Sequence, residues 1–360
     1  WRRDMKPLTT PPDNARLLTL DAMRGLAALA VVLWHFEFVG PFAKSGYLAV
    51  DFFFLMSGIV IARGYRARLA NGLTLSDFLI ERLIRLYPLY ILGFTIGVVR
   101  LAGQIVADHP NRMTWPDLGV SAVFNLMMLP SPATSILAPI NIPAWSLFFE
   151  LLVNLAWAGV LVKASRRKLT AYVALLGIAL CAAVIVEGSA EGGWIWADLH
   201  VGLLRSFFGF GLGVLLAGTL AQGRPRASAL SLVASLALCL LLLVDVAPPL
   251  RPFYDVGVIV LCFPLIAWAG AAFDPPALLR RAAHALGDIS YPVYVLHFAP
   301  TFTLSFIARK LDISPVVWMP VFIVALFAVS LYLARTYDPA ARRYLRNALL
   351  APRPKAASAA

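Results

Sequence analysis

Charge is what this sequence has least of. Charged residues fill 14% of its 360 positions, hydrophobic residues fill 60%, and mean hydropathy is +0.78. A soluble domain carries nearer to about a quarter charged residues. The shortage excludes an ordinary soluble fold and points to a polytopic membrane protein. Acidic groups are scarcer still: 19 Asp and Glu face 31 Lys and Arg, for a net charge of +12. In a soluble protein that excess would suggest nucleic acid. Here the cations lie mostly in short loops between apolar runs, where they set topology, so no nucleic-acid partner is expected. Cysteine is nearly absent, and Cys181, Cys239 and Cys262 each sit within an apolar run. Neither a disulfide framework nor a metal-ligand spacing is present, so no metal is expected. The N-terminus is polar and basic and the first apolar run lacks an early cleavage site, so no cleavable signal peptide is expected. There is no internal repeat and no extra soluble domain, and the Ala/Pro-rich stretch after Leu350 is expected to be disordered.

What the chain does have is long apolar runs. Ten of them, near 20–40, 47–65, 88–107, 142–163, 170–187, 202–221, 227–246, 253–273, 287–308 and 315–337, are about long enough to span a bilayer. The expected class is all-α, polytopic, with about ten transmembrane helices. Residues 117–130 form a further apolar patch, too short to span and ended by Pro130, read as re-entrant or interfacial. With the N-terminus in the cytoplasm, the inner side receives Arg2, Arg3, Lys6, Arg16, Arg63, Arg66, Arg68, Arg82 and Arg85. It also receives Lys163, Arg166, Arg167, Lys168, Arg224, Arg226, Arg280, Arg281 and the basic tail. The outer side receives only Lys44, Arg112, Arg251, Arg309 and Lys310. An even span count then puts both termini in the cytoplasm. The chain divides into a cytoplasmic segment 1–19, a transmembrane domain 20–337 and a basic, partly disordered cytoplasmic tail 338–360.

Within this apolar background a few polar groups stand out. Arg24 and His35 bracket the first span. Eleven helical steps leave them about 20° apart around the axis and about 16 Å apart along it, so they share a face. Ionisable groups inside a bilayer must face protein or a wet cavity, and they are usually functional. Asp51 and Glu150 fall near the outer ends of the second and fourth spans, and His297 falls near the middle of the ninth, preceded by Ser290 and Tyr291. Each also has a structural reading. Arg24 can pair with Asp21 one turn away, Asp51 can cap its helix, and His297 can be a hydrogen-bonded packing residue. Glu150 can partner Arg100 or Arg205, two further intramembrane charges without an evident role. Between the second and third spans, Thr74 to Pro88 reads as a short capped helix that ends at the proline, with Arg82 and Arg85 one turn apart. That pair suits lipid phosphates at the interface or a phosphorylated ligand at the inner mouth.

Five stretches then form a pattern. They are Arg24-(ten residues)-His35, Val50-Asp51-Phe52-Phe53-Phe54-Leu55-Met56-Ser57-Gly58, Arg82-Leu83-Ile84-Arg85-Leu86-Tyr87-Pro88, Pro143-Ala144-Trp145-Ser146-Leu147-Phe148-Phe149-Glu150, and Ile289-Ser290-Tyr291-Pro292-Val293-Tyr294-Val295-Leu296-His297. In this order, over most of the chain, they resemble the membrane-bound acyltransferase-3 family, whose members typically O-acylate sugars. The resemblance implies a bacterial cytoplasmic membrane enzyme with acyl-CoA, acetyl-CoA by default, as co-substrate and no bound cofactor. It implies a carbohydrate or glycoconjugate acceptor. It makes His35 the catalytic base and Glu150, with Asp51, a site carboxylate. Arg24, Arg82, Arg85 and Tyr87 fall to donor binding, and Ser57, Trp145, Ser290, Tyr291 and His297 to substrate contact or support. Tyr337-Asp338-Pro339 departs from the Glu-Lys-Pro-like element expected there. Many relatives carry an esterase-like domain after the last span, and none is expected here.

Two chemical routes fit this reading: direct transfer with His35 as base, oriented by Glu150 or Asp51, or a relay in which His35 or Ser57 is acylated first. A rival of another class is a proton-coupled secondary transporter built on the same intramembrane charges, although the paired repeats of such folds are not seen. Homo-oligomerisation is open.

Overall fold

The computed structural model describes residues 16–36, 42–220 and 226–350. Fourteen α-helices hold most of the described residues: α1 (Leu18–Trp34), α2 (Ala49–Ala70), α3 (Leu75–Val106), α4 (Trp115–Leu126), α5 (Trp145–Ala156), α6 (Arg166–Glu187), α7 (Leu199–Ala217), α8 (Leu230–Leu243), α9 (Arg251–Gly257), α10 (Phe263–Ala272), α11 (Arg280–Leu296), α12 (Phe298–Lys310), α13 (Pro315–Arg335) and α14 (Tyr337–Leu350). Strand pairing among the described residues is slight. Strands β1 (Arg226–Ala227) and β2 (Phe273–Asp274) pair in parallel, and Ile136 bridges Ile195. Seven continuous helical stretches are long and apolar enough to cross a membrane, and α1 at 17 residues and α8 at 14 fall just short of that length. The protein is therefore an all-α polytopic membrane protein. The exposed flanks of α6 and α13 carry Val, Leu and Ile outwards, as a lipid-facing surface requires.

Two helix pairs build the core. α1 packs lengthwise on α11, and α2, the most buried of the spans, packs on α7. Close approach is possible because glycines stand at both seams. A Cβ on Gly25 would lie 2.3 Å from the carbonyl oxygen of Leu286, and one on Gly58 would lie 2.1 Å from that of Phe210. Small residues of this kind let transmembrane backbones touch without a side chain between them. α3 lies across this core, in contact with α11, α12 and α14.

Two expectations change. Thr74 caps its helix as read, accepting from the Asp77 N–H at 3.1 Å, but the helix does not stop at Pro88. It runs 32 residues to Val106, and the hydroxyls of Tyr291 and Tyr337 donate to the Leu86 and Pro88 carbonyls beside the proline. Tertiary contacts on both sides of Pro88 hold the rod together, although the carbonyl that loses its donor is that of Ile84. The ninth apolar run is instead two helices that meet at His297, where Pro300 offers no N–H to continue the ladder. Beyond Tyr337 the tail begins with α14, an amphipathic helix seated on α3, and the stretch expected to be disordered starts only after it. The residues after Leu350 and the segments 1–15, 37–41 and 221–225 lie outside the described residues. α4, at 12 residues, is too short to span, as its sequence implied.

Candidate active site

Two cavities lie inside the helix bundle, end to end. The first offers about 850 Å³ of space, part of it open to the outside. α1 supplies Arg24 to its wall, α3 supplies Arg82 and Arg85, α5 supplies Ser146 and Glu150, and α11 supplies Ser290 and Tyr291. Arg24 Nε donates to Ser290 Oγ at 2.8 Å, its Nη2 donates to the Gly287 carbonyl at 3.3 Å, and it pairs with Asp21 at 3.0 Å. Arg82 Nη2 donates to Glu150 Oε1 at 2.6 Å, while its Nε is buried without a hydrogen-bond partner. Arg85 stands over the Tyr291 ring at 5.8 Å and reaches Asp338 only at 3.9 Å. Three guanidinium groups and one carboxylate therefore line this space. That excess of positive charge suits a polyanion, and guanidinium forks match phosphate oxygens bidentately.

The second cavity offers about 780 Å³, likewise partly open, and holds His35, with Trp34, Tyr47, Trp145, Trp194 and Phe298 around it. Val50 and Tyr294 line both cavities, so the two spaces meet at these side chains. Tyr294 is held there by hydrogen bonds to the Pro143 carbonyl at 2.8 Å and the Ser146 hydroxyl at 2.7 Å. α1 carries Arg24 to one cavity and His35 to the other, three turns apart on one face, as their spacing required.

The bonding around His35 fixes its protonation pattern. His297 Nδ1 lies 3.0 Å from the Val293 carbonyl oxygen and 2.9 Å from that of Tyr294. Carbonyls only accept, so this nitrogen carries a hydrogen. In a neutral ring, His297 Nε2 is then an acceptor. It sits 3.1 Å from His35 Nδ1, which also lies 2.8 Å from the Val31 carbonyl. Both neighbours accept, so His35 Nδ1 is the donor and His35 Nε2 keeps its lone pair. A histidine base needs that arrangement: one nitrogen anchored, the other free.

The carboxylates are not where the sequence suggested. Glu150 does not orient His35. It accepts from Arg82 and, at 3.3 Å, from Ser57 Oγ, and it lines the arginine cavity. Nor does it partner Arg100 or Arg205. Asp51 is spent on Arg205, which donates to it through Nε at 3.0 Å and Nη2 at 2.6 Å, both side chains being 1% exposed. Arg205 is saturated further by the carbonyls of Gly192 and Tyr47 and lies over the Trp145 ring at 5.6 Å. This pair braces α2 against α7 beneath the histidine cavity. Sequence proximity along a span did not predict depth here, because α5 enters past Pro143 and delivers Glu150 a turn too far toward the arginines.

The remaining sequence candidates fall out as follows. Ser57, Ser290 and Tyr291 line the arginine cavity, and Trp145 lines the histidine cavity. Tyr87 lines neither described cavity and donates to the Leu126 carbonyl at 3.1 Å, tying α3 to α4. Several wall residues escaped the reading. Tyr294 lay in plain sight within the motif that ends at His297. Trp194, in the loop between α6 and α7, carried no signal in the sequence. Asp338 was seen only as a departure from a pattern, yet it faces Arg85. No cluster of His, Cys, Asp or Glu among the described residues could hold a metal ion.

Fold and site define a membrane-embedded protein with an arginine-lined chamber joined to a histidine chamber. The chain belongs to the acyltransferase-3 family, whose acyltransferase domain matches residues 17–335. It is 37% identical over 194 residues to protein 2 in the picA locus of Rhizobium radiobacter, covering 51% of this chain and 98% of that one. It is 32% identical over 152 residues to the acyltransferase MdmB of Streptomyces mycarofaciens, covering 39% of this chain and 38% of that one. It is 27% identical over 163 residues to the peptidoglycan O-acetyltransferase OatA of Listeria monocytogenes, covering 41% of this chain and 25% of that one. The chain thus spans well under half the length of the latter two. No solved structure matches it.

Proposed function

We propose that this protein is an integral-membrane O-acyltransferase that moves an acyl group from acyl-CoA to a hydroxyl of a carbohydrate or glycoconjugate. One observation carries the reading. A cavity lined by Arg24, Arg82 and Arg85 abuts a cavity holding a histidine with a free ring nitrogen, across Val50 and Tyr294. The arginines hold the CoA phosphates, and the pantetheine arm passes Val50 and Tyr294 so that the thioester lies beside His35. The aromatic walls of the second cavity present faces on which a sugar ring stacks. His35 Nε2 removes the acceptor hydroxyl proton as that oxygen attacks the thioester carbonyl. The C–S bond breaks, and the imidazolium returns its proton to the departing thiolate. His297 Nε2 accepts from His35 Nδ1–H throughout and steadies the imidazolium, the part that a carboxylate takes in a serine-protease triad. Basic loops cluster at the arginine end, so that end faces the cytoplasm, both termini lie inside, and ten crossings of a bacterial inner membrane result. Acetyl-CoA is the default donor, as the family's acetyltransferases suggest.

The test is CoA release and product formation by protein purified in detergent. His35→Ala is expected to lose at least about 100-fold in turnover, the scale of a general base. Arg85→Ala is expected to weaken acetyl-CoA binding first. Unchanged turnover in His35→Ala overturns the mechanism. An acylated mass on the enzyme without acceptor replaces direct transfer by a relay through His35 or Ser57. Solute flux into proteoliposomes without thioester consumption points instead to the secondary transporter.

A further inference from the structure

Arg100 has no place in the mechanism above, and its surroundings are unusual. It lies six residues before the end of α3, about 9 Å from that end along the axis. Among the described residues it has no hydrogen-bond or ion-pair partner, and its Nε is buried. Three other cations near this end of the bundle are paired. Lys44 and Arg251 share Asp245, and Arg112 pairs with Asp108. An unneutralised guanidinium in a membrane helix is costly and calls for an anion.

What Arg100 does touch is the ring of Phe298, with its guanidinium carbon 5.8 Å from the centroid. The same ring lines the histidine cavity and meets the His35 ring edge-on at 5.2 Å. One aromatic side chain therefore separates the orphan cation from the proposed catalytic base. The gap cannot exceed the sum of those two distances, roughly the reach of one hexose from its anomeric phosphate to a far hydroxyl. On the other side, Arg100 faces outwards along α3. Ile96 and Val99 before it, and Gly103 and Val106 after it, form a stripe at helical spacing, with Arg100 at its edge. Val99 is 66% exposed and Val106 is 79% exposed. Gly103 has open space where a Cβ would stand. The stripe is apolar, lipid-facing and notched beside a single positive charge.

We infer that Arg100 is the phosphate-recognition residue of a lateral acceptor site, and that the acceptor is a saccharide linked through phosphate to a membrane lipid. The lipid chain lies on the stripe from Ile96 to Val106, the phosphate sits on Arg100, and the sugar turns past Phe298 into the histidine cavity. This inference rests on the acyltransferase reading and names its acceptor class.

Binding tests it without requiring turnover. The probes are a farnesyl-phosphate-linked hexose, the matching farnesyl glycoside without phosphate, and phosphatidylglycerol, each measured by native mass spectrometry on the purified full chain. The phosphate-linked hexose is expected to bind at least tenfold tighter than the glycoside. Arg100→Gln is expected to erase that preference and Arg100→Lys to keep part of it, with acetyl-CoA affinity unchanged in both. Gly103→Leu, which fills the notch and leaves the charge, is expected to weaken both farnesyl probes. Equal binding of the two farnesyl compounds by the wild type overturns the inference, and this needs no variant to fold. Tighter binding of phosphatidylglycerol than of the phosphate-linked hexose also overturns it, because Arg100 then only anchors α3 to bulk lipid headgroups. If His35→Ala retains full acyl transfer while the phosphate preference holds, the mechanism falls and the binding site stands.

Discussion

The two histidines are the place where single atoms decide the chemistry. Backbone carbonyls fix His297 with its hydrogen on Nδ1, and that choice passes through one hydrogen bond to His35. Replacing His297 with Gln leaves an oxygen near the old Nε2 position, able to accept from His35 Nδ1–H. Replacing it with Leu leaves nothing. His297→Leu is expected to lose about 100-fold or more in kcat with the acetyl-CoA KM unchanged, and His297→Gln to lose about tenfold, the range spanned by support of a general base. Steady-state kinetics of both variants checks this, and equal losses would show that His297 merely fills space. Asp51 and Arg205 make the contrasting case. Their pair is buried and fully hydrogen-bonded, so Asp51→Ala strands a guanidinium and should destabilise the fold by about 3–5 kcal/mol. A lowered unfolding midpoint in detergent, with residual activity in the folded fraction, is the expected result. Sequence showed that these residues were intramembrane and polar. It could not show which would meet, because partners such as His35 and His297 are 262 positions apart and their pairing depends on how α1 lies on α11.

At the scale of elements, the reading was accurate where apolar length alone decides. α4 was recognised as too short to span, and the first, second, fourth and last apolar runs correspond to α1, α2, α5 and α13. It failed where tertiary contacts override a local rule. Pro88 ought to end a helix, but hydroxyls from α11 and α14 bond to the carbonyls around it and α3 continues. That continuation matters, since it puts Arg82 and Arg85 on the same rigid rod as Arg100. The most extensive of the element contacts is α1 on α11, where Gly25 leaves no room for a side chain. Gly25→Val would force the helices apart at the level of Arg24 and Ser290. Overpacking of this kind costs about 1–3 kcal/mol. The expected phenotype is a modest fall in thermal stability together with a larger loss of acetyl-CoA affinity, because the Arg24 to Ser290 bond at 2.8 Å is broken as well. Thermal unfolding and donor titration on one preparation separate the two effects.

Across the whole molecule, the two cavities turn a bundle of helices into a directed path. Arginines line one chamber, a histidine and aromatic rings line the other, and Val50 and Tyr294 stand between. Such an arrangement has a purpose only if the two ends face different compartments. The charge asymmetry of the loops requires that too: Arg63, Arg66, Arg68, Arg166, Arg167 and Lys168 lie toward the arginine chamber, while the α3–α4 loop near the other end carries Arg112 already paired with Asp108. The positive-inside rule predicts that the arginine chamber opens toward the cytoplasm. Cysteine labelling in intact cells tests this directly, starting from a variant in which Cys181, Cys239 and Cys262 are replaced. Asn71→Cys, in the turn after α2, should react with a membrane-impermeant maleimide only after the membrane is opened. Asn111→Cys, in the exposed turn between α3 and α4, should react in intact cells. The reverse pattern would put the arginine chamber on the outer side, away from CoA. Labelling of both from one side would mean that α3 does not cross, and the path from thioester to acceptor would lose its direction.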